Sequence, residues 1–176
     1  MMNTEEKFKN AIRDVLDFPK PGIVFKDITT ALKDAEVLTA TADLLYEKYK
    51  DKGITQVVGI ESRGFILGSI LAYKLNAGMV LLRKPGKLPA DTFKVEYKLE
   101  YGTDSIEIHK GALNKNDIVL LHDDLMATGG SAAAAIELIN KFDVEKLHVN
   151  FLIELDFLKG INKLPKVDSI YSMVHY

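Results

Sequence analysis

The sequence predicts an α/β chain built on a central, mostly parallel twisted sheet flanked by helices. Three observations predict it. Strand-like runs alternate with stretches of helical period from residue 37 onward. The runs at 79–82 and 118–121 are apolar along their length, as strands covered on both faces are, and Gln56-Val-Val-Gly-Ile60 reads as a further strand. With 47% hydrophobic and 27% charged residues over 176 positions, the chain is globular and long enough for a substantial core.

Taken in order, Phe8, Ile12, Val15 and Leu16 fall at helical spacing and predict a first helix, which the prolines of Phe18-Pro-Lys-Pro-Gly22 end. Residues 23–27 are short and β-prone. Val37, Leu38, Thr41, Leu44 and Leu45 mark one face of a second helix, closed by Lys52-Gly53. A strand is expected at 56–60, a helix at 65–75 and a strand at 79–82. Residues 84–101 break the rhythm. The stretch is polar, carries Pro85-Gly86 and Pro89, and reads as a long irregular excursion of the kind that serves function. Residues 97–109 suggest a polar hairpin around Gly102. A strand at 118–121, a helix at 131–142, a strand at 147–155, a helical piece near Leu158 and a last strand at 168–173 complete the chain.

Composition narrows the function classes. A net charge of −2 offers no bulk electrostatic case for a nucleic-acid partner. Without cysteine there is no disulfide, thiolate metal site or cysteine nucleophile. The polar start, Met1-Met-Asn-Thr-Glu-Glu-Lys7, does not read as a secretory signal, and no apolar run approaches the ~20 residues of a membrane span. The expected location is the cytoplasm, with no membrane partner.

Three strand ends carry the chemistry. Ala127-Thr-Gly-Gly-Ser131 follows the strand at 118–121 and opens a helix. Glycines let backbone approach closely, a helix start presents N–H groups, and hydroxyls add donors, so Ala127, Thr128, Gly129, Gly130 and Ser131 suit a phosphate. The same residues also suit an ordinary helix start capped by Thr128 or Ser131. Asp123 and Asp124 stand together where that strand should end. Ionised carboxylates only accept hydrogen bonds and suit a vicinal diol such as ribose; a turn, a helix cap and a hard-cation site are the alternatives. Glu61-Ser-Arg-Gly-Phe65 follows the strand at 56–60, where Arg63 could fork onto phosphate or form a surface salt bridge. Gly59 and Gly64 have P-loop spacing, but Phe65-Ile66 replaces the required Lys-Ser/Thr, which argues against a Walker triphosphatase. Arg83-Lys-Pro-Gly-Lys87 clusters three cations after the strand at 79–82. Phe25 is either a stacking surface for a planar base or a core ring. The four histidines show no metal-ligand spacing.

Together these segments resemble the type I phosphoribosyltransferases, and among them the adenine phosphoribosyltransferase family, over nearly the whole length. Phe18 to Ile28 is similar to that family's N-terminal base-binding segment, and Glu61-Ser-Arg-Gly-Phe65 to its pyrophosphate loop. Leu82 to Pro89 and Leu99-Glu-Tyr-Gly102 resemble the two sides of its mobile active-site loop. His122-Asp-Asp-Leu-Met-Ala-Thr-Gly-Gly-Ser131 resembles the signature for 5-phosphoribosyl 1-pyrophosphate, and Ile153-Glu-Leu155 the segment near the base. The N-terminal and Leu-Glu-Tyr-Gly segments point to adenine. Departures are mild: Lys26 stands where Arg is frequent, Ser131 where Thr is common, Glu61 where Asp is also seen, and His122 where an apolar residue is usual.

The resemblance implies one phosphoribosyltransferase domain, 1–176, with a small N-terminal hood at about 1–33, a core at 34–176 and a mobile loop at about 84–101. It implies that adenine and phosphoribosyl pyrophosphate give AMP and pyrophosphate in purine salvage, through an oxocarbenium-like sugar. Glu100 would be the acid/base. Asp123, Asp124 and Ala127 through Ser131 would hold the ribose 5-phosphate. Ser62, Arg63, Arg83, Lys84, Lys87 and Tyr101 would hold pyrophosphate, and Val24, Phe25, Lys26 and Leu155 the base. Mg²⁺ would be carried mainly by the substrate and water, with no dedicated protein site. A homodimer with Arg83 near its interface is also implied.

Overall fold

The Asn3 side-chain oxygen accepts a hydrogen bond from the Glu6 N–H at 2.8 Å, and the Asn3 N–H donates to the Glu6 carboxylate at 3.1 Å. This reciprocal cap starts helix α1 (Thr4–Ala11). In the computed structural model, which describes residues 2–98 and 102–176, the chain divides into two compact units, 1–48 and 49–176.

In the first unit the expected first helix is corrected. It stops at Ala11, and Val15 and Leu16 belong to strand β1 (Arg13–Leu16), antiparallel to β2 (Val24–Asp27). Pairing of Val15 with Phe25 and Leu16 with Val24 satisfies this backbone across the strands, and the Arg13–Asp27 ion pair ties their far end. Helical spacing of four apolar residues could not reveal that ladder. Two helices follow: the short α2 (Thr29–Lys33), outside the elements expected from the sequence, and α3 (Ala35–Tyr49), which ends before Lys52-Gly53.

The second unit is built on a five-stranded sheet whose strands are all parallel. These are β3 (Gln56–Ile60), β4 (Gly78–Leu82), β7 (Ile118–Met126), β8 (Lys146–Glu154) and β9 (Ser169–His175), in the order β4-β3-β7-β8-β9. Helix α4 (Gly64–Leu75) packs on one face. On the other, Val58, Leu121 and Val149 pack with Ala135, Ile136 and Ile139 of α5 (Gly130–Asn140). Burying such apolar side chains contributes roughly 1.5–3 kcal/mol each. The expected excursion at 84–101 is also corrected. Thr92–Lys98 is strand β5, paired antiparallel with β6 (Thr103–His109) on either side of Gly102, which has φ +93°. Phe93, Val95 and Tyr97 alternate with Lys94 and Glu96, and all three pack against the α5 core. Two short 3₁₀ turns, Asp156–Leu158 and Gly160–Lys163, lie between β8 and β9.

Candidate active site

The order β4-β3-β7 sets three loop-bearing strand ends side by side at the carboxyl edge of the sheet, where open α/β sheets bind ligands. A cavity of about 600 Å³ opens there. Its walls come from Glu61, Ser62 and Arg63 after β3, Lys84 after β4, Asp123 to Gly129 with Ser131 at β7 and α5, and Tyr97, Asp104 and Ile106 of the hairpin.

The loop into α5 turns on Gly129, whose φ of +82° places it in the left-handed region. A Cβ at Gly129 would lie 2.4 Å from the Gly160 carbonyl oxygen, so the turn also needs close backbone approach. Neither Thr128 nor Ser131 is the cap: Gly129 is the N-cap residue, without a side-chain hydrogen bond. Its carbonyl accepts from the Ala133 N–H at 2.9 Å. The first-turn N–H groups of an eleven-residue helix therefore face the same loop as the Thr128 and Ser131 hydroxyls, a donor set suited to a phosphate.

The carboxylate pair lies inside β7, which runs on to Met126 rather than ending before it. The ladder continues past both aspartates, with Leu125 opposite Ile153 and Met126 opposite Glu154. Both side chains line the cavity. Asp124 is buried at 3% exposure, and its N–H donates to Asp123 Oδ1 at 2.9 Å. Arg63 Nε lies 2.8 Å from Asp124 Oδ2, an ion pair without aligned hydrogen-bond geometry. Burial raises the pKa of both carboxyls; the neighbouring Asp124 charge raises Asp123 further, while Arg63 opposes the rise at Asp124. Such a pair gains from anything that donates to it, and ribose hydroxyls have that chemistry. Gly64 makes this packing possible, because a Cβ there would sit 2.7 Å from the His122 carbonyl oxygen and 3.0 Å from Asp123 Oδ1.

The cationic edge divides in two. Ser62, Arg63 and Lys84 line the cavity; Arg83 and Lys87 do not. Arg83 turns to Glu61, with Nε at 3.3 Å and Nη2 at 3.4 Å, and donates from Nη1 to the Lys87 carbonyl at 3.2 Å. Glu61 also accepts the Lys84 N–H at 2.8 Å. That backbone bond is the largest influence on the Glu61 carboxyl; together with Arg83 it outweighs burial and lowers the pKa. Lys84 Nζ meets the Asp104 carboxylate and lies 3.2 Å from the Tyr97 hydroxyl. Burial disfavours its charge, but those two partners outweigh burial and raise its pKa. Sequence reasoning missed Tyr97 and Asp104. They face each other across the β5–β6 ladder, and the available signal was the alternation of 92–98 before Gly102.

Val24, Phe25 and Lys26 are on β2 of the first unit; Phe25 is half-buried and meets Phe18 edge-on at 5.2 Å. Leu155 follows β8, its N–H bonded to the Met126 carbonyl at 2.9 Å. Glu100 and Tyr101 lie outside the described residues. His122 is fully buried in a row with Gly59, Asn150 and Tyr171 across β3, β7, β8 and β9. Its Nδ1 lies 2.7 Å from Asn150 Oδ1, while Asn150 Nδ2 donates to the Tyr171 carbonyl, which assigns the proton to Nδ1. Burial lowers its pKa to about 4. Among the described residues the metal-type cluster is Glu154, Asp156 and His175, and none of them lines the cavity.

The model for the phosphoribosyl transferase domain matches residues 29–175. An adenine phosphoribosyltransferase of Bacteroides fragilis is 58% identical over 160 residues, covering 91% of this chain and 90% of that protein. The crystal structure of adenine phosphoribosyltransferase from Rhodothermus marinus is similar at TM-score 0.91 and 48% identity, over 98% of each chain. The Saccharomyces cerevisiae adenine phosphoribosyltransferase complexed with an imino-altritol bisphosphate and adenine is similar at TM-score 0.90 and 39% identity, covering 97% of this chain and 98% of that one.

Proposed function

The chain belongs to the phosphoribosyl transferase domain family, and we propose that its cavity joins adenine to 5-phosphoribosyl 1-pyrophosphate, giving AMP and pyrophosphate. The enzyme is a transferase of purine salvage. The observation that carries the reading of the site is one cavity that joins a glycine-turned helix start, an adjacent aspartate pair and a cationic edge.

Each part has a task. The loop of Ala127, Thr128, Gly129, Gly130 and Ser131 holds the 5-phosphate by N–H and hydroxyl donors at the α5 start. Asp123 and Asp124 accept from the ribose hydroxyls, and their negative charge favours the sugar as positive charge develops on it. Arg63, Ser62 and Lys84 meet the departing pyrophosphate; Arg83 and Lys87 flank them, with Arg83 holding Glu61 against the Lys84 backbone. Tyr101 is assigned to the same group. Phe25 stacks on adenine while backbone groups at Val24 and Lys26 read its edge, and Leu155 is a further base-side residue. Glu100 handles the purine proton as acid/base.

Mg²⁺ is tested by the donor set. It keeps water and phosphate ligands and takes one or two carboxylates. The cavity supplies the oxygens of Asp123 and Asp124, while the nearest histidine in sequence, His122, is buried with Nδ1 on Asn150. Those residues fit an ion carried chiefly by the substrate, which when bound would offset charge on the pyrophosphate. We assign the enzyme to the cytoplasm as a homodimer. Exposed Ile66 and Tyr73 on α4 and Leu81 on the edge strand β4 offer apolar surface to a second copy. No helix among the described residues is long and apolar enough to cross a membrane.

The test is direct. Purified protein with adenine, phosphoribosyl pyrophosphate and Mg²⁺ is expected to form AMP and pyrophosphate in equal amounts, followed by chromatography. Absence of AMP overturns the reading.

A further inference from the structure

Lys84 has a fixed pivot and a free arm. Its N–H is held by Glu61 at 2.8 Å, and the preceding residue is locked to β6 by a pair of backbone bonds between Arg83 and Glu107, at 3.0 and 2.8 Å. Only the side chain can move far. Its ammonium contacts Asp104 and lies 3.2 Å from the Tyr97 hydroxyl. Tyr97 also donates toward Asp104 Oδ2 at 3.3 Å, and Asp104 Oδ1 accepts the Ser105 N–H at 2.7 Å. The carboxylate is therefore pinned, and all three side chains line the cavity that holds the aspartate pair and the α5 start.

We propose that Asp104 is a resident counter-anion that competes with pyrophosphate for Lys84. It yields the ammonium when the pyrophosphate group enters and takes it back as the product leaves. The inference rests on the assignment of the Lys84 edge to pyrophosphate. The physical case is that one cation faces two anions which cannot both hold it at contact distance. A lysine ammonium on a flexible stem can exchange between them, as a point charge needing no planar match. Asp104 also adds negative charge to the wall of an anion site, which weakens pyrophosphate binding directly. Side-chain exposures of 39% for Lys84 and 29% for Asp104 make the pair solvent-screened, so the exchange is a shallow one. Asp104 acts through Lys84 and is a positioning residue.

The test is calorimetric titration of the full chain with magnesium pyrophosphate. Asp104→Asn is expected to bind about fivefold more tightly than wild type, the size of one screened charge pair. Lys84→Met is expected to bind more weakly. The double variant is expected to gain less from loss of the carboxylate than the single variant does, because the competition has no cation left to contest. In kinetics, Asp104→Asn lowers the KM for phosphoribosyl pyrophosphate and leaves that for adenine unchanged, a split that a merely structural role would not produce. Asp104→Thr, a better strand former, serves if the asparagine variant does not fold. If Lys84→Met weakens binding but neither Asp104 variant tightens it, the competition is overturned and the assignment of the edge stands. If Lys84→Met binds like wild type, the assignment itself falls.

Discussion

Gly129→Ala puts a methyl group where the backbone allows none. The residue sits at φ +82°, a conformation that costs an L-residue roughly 1–2 kcal/mol. The new Cβ would stand 2.4 Å from the Gly160 carbonyl oxygen and 3.1 Å from its carbon. Carbon and carbonyl oxygen normally rest about 3.3 Å or more apart, so the loop must yield by roughly 1 Å. Overpacking of this kind costs about 1–3 kcal/mol. The sum, ~3 kcal/mol, lowers Tm by about 6–12 °C in a chain of this length. Part of the cost can instead be taken up by displacing the loop. A displacement of that size near a reacting substrate can cost as much as ~10²-fold in rate, so KM for phosphoribosyl pyrophosphate should rise. Scanning calorimetry and initial rates at varied donor concentration measure both. A variant with Tm within about 2 °C of wild type and an unchanged KM would refute the packing argument.

Other perturbations probe separate parts. His122 stays neutral in the fold down to about pH 4, whereas an unfolded imidazole takes its proton near 6.5. Between those values the unfolded state binds more protons, so stability is full above pH 6.5 and falls by ~3 kcal/mol as pH drops to 4. Urea unfolding of His122→Gln across that window should fall less steeply than wild type; equal slopes would remove the residue from the account. Asp124→Asn should cut kcat/KM by about 10²-fold while the unfolding midpoint stays near wild type, since it also relieves the Asp123 repulsion. An unfolded variant would make the role structural. Glu100→Gln should lower kcat by about 10²-fold or more with little change in the KM for adenine; near-normal kcat would exclude it as acid/base.

Much of the second unit was legible because local pattern and tertiary placement agree there. The run at 56–60 became β3 with the expected bounds, and the alanine-rich stretch after Gly129 became α5. Legibility failed where a ladder partner decides the outcome. Val15 and Leu16 have helical spacing from Phe8, yet pairing with β2 makes them a strand. The β7 strand continues through Asp123 and Asp124 because β8 pairs with it to the end, although two carboxylates look like a terminus. Tyr97 and Asp104 become neighbours only once the hairpin register is known. His122 is explained by Asn150, twenty-eight positions away on the adjacent strand.

The central claim is that the acceptor is adenine. Adenine presents an amino group where hypoxanthine, guanine and xanthine present a carbonyl, so a pocket built for one must leave polar groups unpaired with the others. Measuring kcat/KM for the four bases at a fixed donor concentration tests this most directly. A preference for adenine of at least about 10³-fold is expected. Turnover of an oxopurine at a rate equal to or above that of adenine would contradict it.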